Sequence, residues 1–148
     1  KTDGSDQKYS EKMDAGKPAT SKGRILIMDD ELKIRTVLCK LLRILDYDVD
    51  SVGEGSEAIR SYKNANSSAK PFDAVILDLT IPGGIGGKAT IERLLEIDPE
   101  VKAIVSSGYE NDPVMTDHIK YGFKSVLSKP HEIYELDETL QKIITLSN

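Results

Sequence analysis

Short apolar runs alternate along this chain with stretches whose apolar residues recur every three to four positions. Ile25-Leu26-Ile27-Met28, Ala74-Val75-Ile76-Leu77, Val101 to Ser106 and Ser125-Val126-Leu127 read as strands. Most lack polar alternation and are rich in β-branched residues, the mark of a strand buried on both faces. Tyr47 to Val52 alternates weakly and reads as a further strand. Between these runs the spacing is helical. Ile34, Val37, Leu38, Leu41, Leu42 and Leu45 mark a first helix, and Glu54 to about Ala65 a second with Ala58, Ile59 and Tyr62 inward. Lys88 to Asp98 forms a third, with Ile91, Leu94 and Leu95 inward and Pro99 as its stop. Asn111 to about Tyr121 is a fourth, weakly amphipathic through Val114, Met115, His118 and Ile119, ended by Gly122. The last, about Glu132 to Leu146, turns Ile133, Leu136, Leu140, Ile143 and Ile144 to the core. Five strand-helix units with short connections require parallel strands, right-handed crossovers and helices on both faces of one sheet.

Residues 1–22 are polar, with apolar side chains too sparse to make a face, and are expected to be a flexible tail or linker ahead of a domain at 23–148. Composition sharpens this only a little. The 148 residues suit one domain, and 39% hydrophobic with 30% charged is an ordinary globular mixture. A formal charge of −5 argues against direct nucleic-acid binding through a basic surface. No apolar run approaches the roughly 18 residues of a membrane span, and the N-terminal residues hold no apolar signal region. With the single Cys39, which excludes an internal disulfide, these features favour a cytoplasmic protein.

The chemistry lies at the strand ends. In a parallel sheet all C-termini share one edge, where open α/β sheets place their ligands. The first strand delivers Asp29 and Asp30 there, and the third delivers Asp78. The fourth contributes Ser106 and Ser107, the fifth Lys129. If the first and third strands are neighbours, three carboxylates crowd together, and like charges need a cation among them. Hard carboxylate oxygens in a partly open site suit Mg²⁺. Two histidines and one cysteine cannot form a zinc set. A metal, a carboxylate nucleophile, a hydroxyl and an ammonium together describe phosphoryl transfer to Asp78. Taken singly, each group has a plainer reading: Asp78 as a turn cap, Asp29 and Asp30 as a helix start, Lys129 as a solvated lysine. Gly84-x-Gly86-x-x-Ala89 imitates a dinucleotide fingerprint, but Pro82 and Asp78 crowd its approach and the next strand ends in serines. Gly87-Lys88 lacks the other parts of a phosphate loop. Cys39, His118 and His131 are expected to be structural: a packing or half-exposed thiol, a helix-face residue and a residue near the cap of the last helix.

Asp29-Asp30-Glu31 after an apolar strand, Asp78-Leu79-x-Ile81-Pro82-x-x-x-Gly86, Ser107-Gly108 and Lys129-Pro130 together resemble the receiver domain of two-component response regulators over about residues 23–147. The resemblance implies a flavodoxin-like (βα)5 three-layer sandwich with strand order 2-1-3-4-5. It implies Asp78 as phosphoacceptor, with Mg²⁺ (or Mn²⁺) held by Asp30, Asp78 and the backbone carbonyl of Thr80, Asp29 acting through water. It implies Ser107 as switch hydroxyl, Lys129 as phosphate-contacting lysine, a cis Lys129–Pro130 bond and an output surface on the fourth helix. The phosphoryl donor is then a histidine kinase or a histidine phosphotransfer domain, and the signal passes to a downstream protein target, from a monomer or weak dimer. The resemblance fits either a stand-alone single-domain regulator or the C-terminal receiver of a hybrid sensor histidine kinase, and the Ser-Ser-Gly-Tyr and Leu-Ser-Lys-Pro wording resembles the latter. The chain departs from the commonest family pattern in three respects. Val126 stands where many receivers have a switching aromatic, Ser107 is the smaller of the two usual hydroxyls, and Tyr109 with Thr80 occupies the positions that tune phosphoryl hydrolysis. Bulky Tyr109 is expected to hinder in-line water. The competing function is a Mg²⁺-dependent phosphohydrolase with an aspartyl nucleophile. Such enzymes place a second acid two residues after the nucleophile, where this chain has Thr80.

Overall fold

The computed structural model describes residues 21–145, so residues 1–20 of the expected 1–22 tail and the end of the last helix at Leu146 lie outside the described residues. Among them the elements run β1 (Arg24–Met28), α1 (Leu32–Ile44), β2 (Asp48–Val52), α2 (Gly55–Asn66), β3 (Ala74–Asp78), α3 (Gly87–Ile97) and β4 (Ala103–Ser107). Two four-residue helices, α4 (Pro113–Thr116) and α5 (His118–Tyr121), precede β5 (Ser125–Ser128) and α6 (Ile133–Ile144). The strands form one parallel sheet in the order β2-β1-β3-β4-β5. This is the flavodoxin-like arrangement, with β1 and β3 adjacent as the crowding of carboxylates requires.

Period-two alternation divides the core into two layers. Leu26, Met28, Val75, Leu77, Ala103 and Val105 face Ala58, Tyr62, Ile91 and Leu94 of α2 and α3, together with Val114, Met115 and Phe123. Ile25, Ile27, Ile76, Ile104 and Leu127 face Leu38 and Leu42 of α1 and Leu136, Leu140 and Ile143 of α6. β1, β3 and β4 therefore carry apolar side chains on both faces, which is why their sequences do not alternate. α2 and α3 meet closely. A Cβ on Gly55 would collide with Thr90 Oγ1 and stand 2.6 Å from Ile85 Cγ2. The hydroxyl of Tyr62 donates to Asp98 Oδ2 at 2.6 Å, tying α2 to the end of α3.

The structure corrects several expectations. The fourth helix is not continuous from Asn111 to Tyr121. Asp112 caps α4 by accepting from the Val114 N–H at 2.9 Å, and Asp117 leaves helical geometry at φ −127°, ψ 40°. Thr116, Asp117 and His118 are weak helix formers, and only Val114 and Met115 are buried enough to hold a turn down; Ile119 is 68% exposed. β4 starts at Ala103 and not at Val101, because the Val101 N–H is taken by Asp98 O in the turn after Pro99. Val37 is exposed, since inward Leu38 and Leu42 rotate it outward. Cys39 is buried, as a packing thiol would be.

Candidate functional site

The ends of β1 and β3 bring the acidic residues together because these strands pair in register, Met28 beside Leu77. Asp29 and Asp78 are buried and Asp30 is exposed, and each offers a carboxylate oxygen within 4.8 Å of the others. Two hydrogen bonds shape the loop that holds them. The Glu31 N–H donates to Asp29 Oδ1 at 2.9 Å, and the Arg35 guanidinium donates to the Asp29 carbonyl at 2.8 Å.

Lys129 supplies the balancing charge. Its Nζ stands 2.9 Å from Asp29 Oδ2 and 3.1 Å from Asp78 Oδ1. The β5 end that carries it is fixed to β4, where the Lys129 N–H donates to the Ser107 carbonyl at 2.9 Å. The Lys129–Pro130 bond is cis. Burial pushes the Asp78 carboxyl up to about 6, with the Asp29 charge acting in the same direction; Lys129 and the Thr80 N–H oppose both. Burial pulls Lys129 down, but its hydrogen bonds to Asp29 and Asp78 and their charges outweigh that and leave it raised. The site is a carboxylate cluster short of positive charge, with one lysine shared between two acids.

Ser107 is buried at the end of β4, and its Oγ accepts from the Tyr109 N–H at 3.0 Å. Asp30, Asp78, Thr80, Ser107, Tyr109 and Lys129 all line one cleft of about 410 Å³, joined by Glu31, Pro82 and Gly108. The Tyr109 side chain is 74% exposed at the rim. Asp29 is buried and does not itself line the cleft. Val126 does not line it; this half-buried side chain packs into the layer of α2 and α3. The glycines serve the loop: a Cβ on Gly86, the residue before α3, would stand 2.5 Å from the Leu79 carbonyl.

Three residues around this centre, Arg35 unremarked in the sequence and Glu31 and His131 named there without these contacts, complete its surroundings. Glu31 reaches the cleft, and Arg35 clamps the acidic loop; the only signal for Arg35 was its position one turn into the helix that follows that loop. The third is His131, whose Nε2 lies 2.7 Å from Ser106 Oγ. A lone histidine after Lys-Pro gives no sequence cue of its own.

Two buried carboxylates, one exposed carboxylate and an open cleft fit a hard divalent cation that keeps some of its water. The comparisons with known proteins agree with this geometry. The family model described as response regulator receiver domain matches residues 25–141. The chain is 32% identical over 121 residues to the chemotaxis protein CheY of Thermotoga maritima, covering 81% of this chain and 96% of that protein. It is 31% identical over 120 residues to CheY of Listeria monocytogenes, covering 80% and 96%. Among solved structures it resembles the receiver domain of sensor histidine kinase PA1611 from Pseudomonas aeruginosa, which holds a magnesium ion in its active-site cleft. That match has a TM-score of 0.73 at 25% identity, covering 84% of this chain and 98% of that one. The receiver domain of the hybrid histidine kinase CckA matches with a TM-score of 0.67 at 28% identity, covering 83% and 100%.

Proposed function

The chain belongs to the response regulator receiver domain family, and from that membership we propose that Asp78 is its phosphoacceptor in a two-component phosphorelay. The observation that carries this reading is the position of Lys129 Nζ between the buried carboxylates of Asp29 and Asp78 at the mouth of the cleft. An Asp78 oxygen attacks phosphorus on a donor phosphohistidine. The P–N bond breaks, its electron pair returns to the imidazole, and the imidazole takes up a proton from water. An acyl phosphate remains on Asp78. Lys129 exchanges a carboxylate oxygen for a phosphoryl oxygen, and Ser107 offers its hydroxyl to another. Asp30, Asp78 and the Thr80 carbonyl are the groups that would hold Mg²⁺ (Mn²⁺ as substitute), with Asp29 acting through water. The ion supplies neutralisation of the charge that builds on the transferring phosphoryl oxygens. Attack by water later releases phosphate and restores Asp78.

The partners follow from this chemistry. A histidine kinase or histidine phosphotransfer domain brings the phosphoryl group, and a downstream protein reads the switched state. A groove lined by Lys33, Ile34, Val37, Lys129, Pro130 and His131 adjoins the reaction cleft and shares Lys129 with it. α1 carries Lys33, Arg35, Lys40 and Arg43 with no acid, on a chain of net charge −5. A donor presenting a histidine beside acidic and apolar side chains fits that face. The likeness to the receiver of the hybrid histidine kinase CckA supports an origin in a hybrid kinase; residues 1–22 would then serve as linker, in a cytoplasmic protein that is a monomer or weak dimer. The test is acetyl phosphate with Mg²⁺ on the full chain, read by intact-mass spectrometry. One phosphoryl group is expected on the parent and none on Asp78→Asn. Equal labelling of both would overturn the assignment.

A further inference from the structure

Ser106 is one of few buried polar residues among those described, at 2% exposure. Asp29, Asp78 and Ser107 belong to the site, and Thr90 satisfies its hydroxyl on the Gly86 carbonyl at 2.7 Å. Ser106 has the same strand parity as Ile104, so its hydroxyl turns into the apolar layer of α1 and α6 and away from the cleft. An unpaired hydroxyl there is costly, and His131 Nε2 meets it at 2.7 Å. Burial, then the neighbouring Lys129 charge, pulls His131 below the usual histidine range, so the ring faces this hydroxyl in its neutral form at neutral pH.

This contact has a second consequence. Lys129 and His131 bracket Pro130, which has a fixed φ and no N–H to contribute. At one end the Lys129 N–H bonds the Ser107 carbonyl, and at the other the His131 ring bonds the Ser106 hydroxyl. Three consecutive loop residues are thus pinned at both ends to two consecutive residues of β4. The Lys129 ammonium, 2.9 and 3.1 Å from two carboxylates, hangs from this pinned turn.

We propose that Ser106 and His131 are a positioning pair that holds the Lys129 turn in register with β4, and so sets where the Lys129 ammonium stands over the phosphoacceptor. This rests on the assignment of Asp78 as phosphoacceptor. Neither residue touches the reacting atoms; both act through Lys129. Loss of the contact frees the His131 end of the turn while leaving the acidic loop of β1 untouched. The rate of phosphoryl transfer therefore falls while the affinity for the metal does not.

The test uses the full chain, acetyl phosphate with Mg²⁺, and four variants: Ser106→Ala, His131→Phe, the double variant and His131→Gln. Phosphorylation rates are read by mass spectrometry and Mg²⁺ affinity by calorimetry. Each single substitution is expected to slow phosphorylation about fivefold while Mg²⁺ affinity does not fall by more than about twofold. The double variant is expected to be no slower than the slower single, since both remove the same contact. His131→Gln, whose amide reaches the hydroxyl, is expected to recover at least about half of the parent rate. Parent-like rates in either single variant, additive losses, absence of rescue by Gln, or metal affinity falling in step with rate would each overturn the pair. Should the parent take no phosphoryl group, the assignment of Asp78 fails and the pair with it; should the parent react and the variants match it, the pair alone fails.

Discussion

At the scale of single residues, Asp78 is held in a state it resists. Burial raises its carboxyl to about 6, and Asp29 pushes the same way. Because the folded value lies above that of an unfolded aspartate, the stability linked to Asp78 is intact below about pH 4 and lost as pH rises through about 6. In metal-free protein, Asp78→Asn is therefore expected to melt higher than the parent at about pH 7.5, by on the order of 2 °C, because solvent in the open cleft screens the charge. Scanning calorimetry should show that advantage vanish near pH 4; an advantage independent of pH would contradict it. Tyr109 makes a kinetic prediction. Its exposed ring stands on the rim of the cleft that water must cross. Phospho-Asp78 is expected to decay about two- to fivefold faster in Tyr109→Ala, a barrier change of at most about 1 kcal/mol. Equal or slower decay in the variant would remove Tyr109 from the tuning of lifetime. Asp29, Asp30, Asp78, Ser107 and Lys129 were legible because each follows an apolar run. Arg35 and His131 were not, since their partners are a backbone carbonyl and a serine brought near only by the fold.

At the scale of elements, the strands and long helices follow their periodicity. The departures come where local preference is weak. Val114 and Met115 are adjacent and satisfy one turn, and the residues after them do not sustain a helix, so α4 and α5 stay short. Val126 leaves no aromatic ring to swing between core and surface, and its half-buried side chain stays within the layer of α2 and α3. The clearest mechanical constraint is the approach of α2 to α3. Gly55→Ala places a methyl against Thr90 and Ile85 and is expected to destabilise the fold by about 1–3 kcal/mol, measured by urea unfolding. A loss below about 0.5 kcal/mol would mean that the two helices can part without cost. Nothing in the sequence marked this glycine, because helix-to-helix distance is not a local property.

For the whole molecule, the sheet order is what turns separate motifs into one site. Asp29 and Asp78 lie 49 positions apart and Lys129 a further 51, yet β1, β3 and β5 end on one edge. The resulting excess of negative charge is the reason a bound cation is expected to stabilise the fold. Mg²⁺ is expected to stabilise the full chain by about 1.4 kcal/mol at ten times its dissociation constant, rising with the logarithm of its concentration, and Asp30→Asn is expected to lose most of that gain. Thermal melts with and without chelator read both effects; a parent indifferent to Mg²⁺ would argue against the metal site.

Periodicity and strand-end placement were enough to specify the parallel βα fold and which polar side chains meet at one edge of the sheet, because burial imposes a pattern on side chains and parallel strands send their C-termini to one edge. The 2-1-3-4-5 order was reached through family resemblance, since nothing local to a strand names its neighbour. Tertiary packing alone determined how much each acid is buried, that Lys129 spans two of them, that Val126 stands away from the cleft, and that Ser106 turns its hydroxyl to His131. These are distances between residues far apart in the chain, and they arise only when the sheet and its two helical layers close around one another.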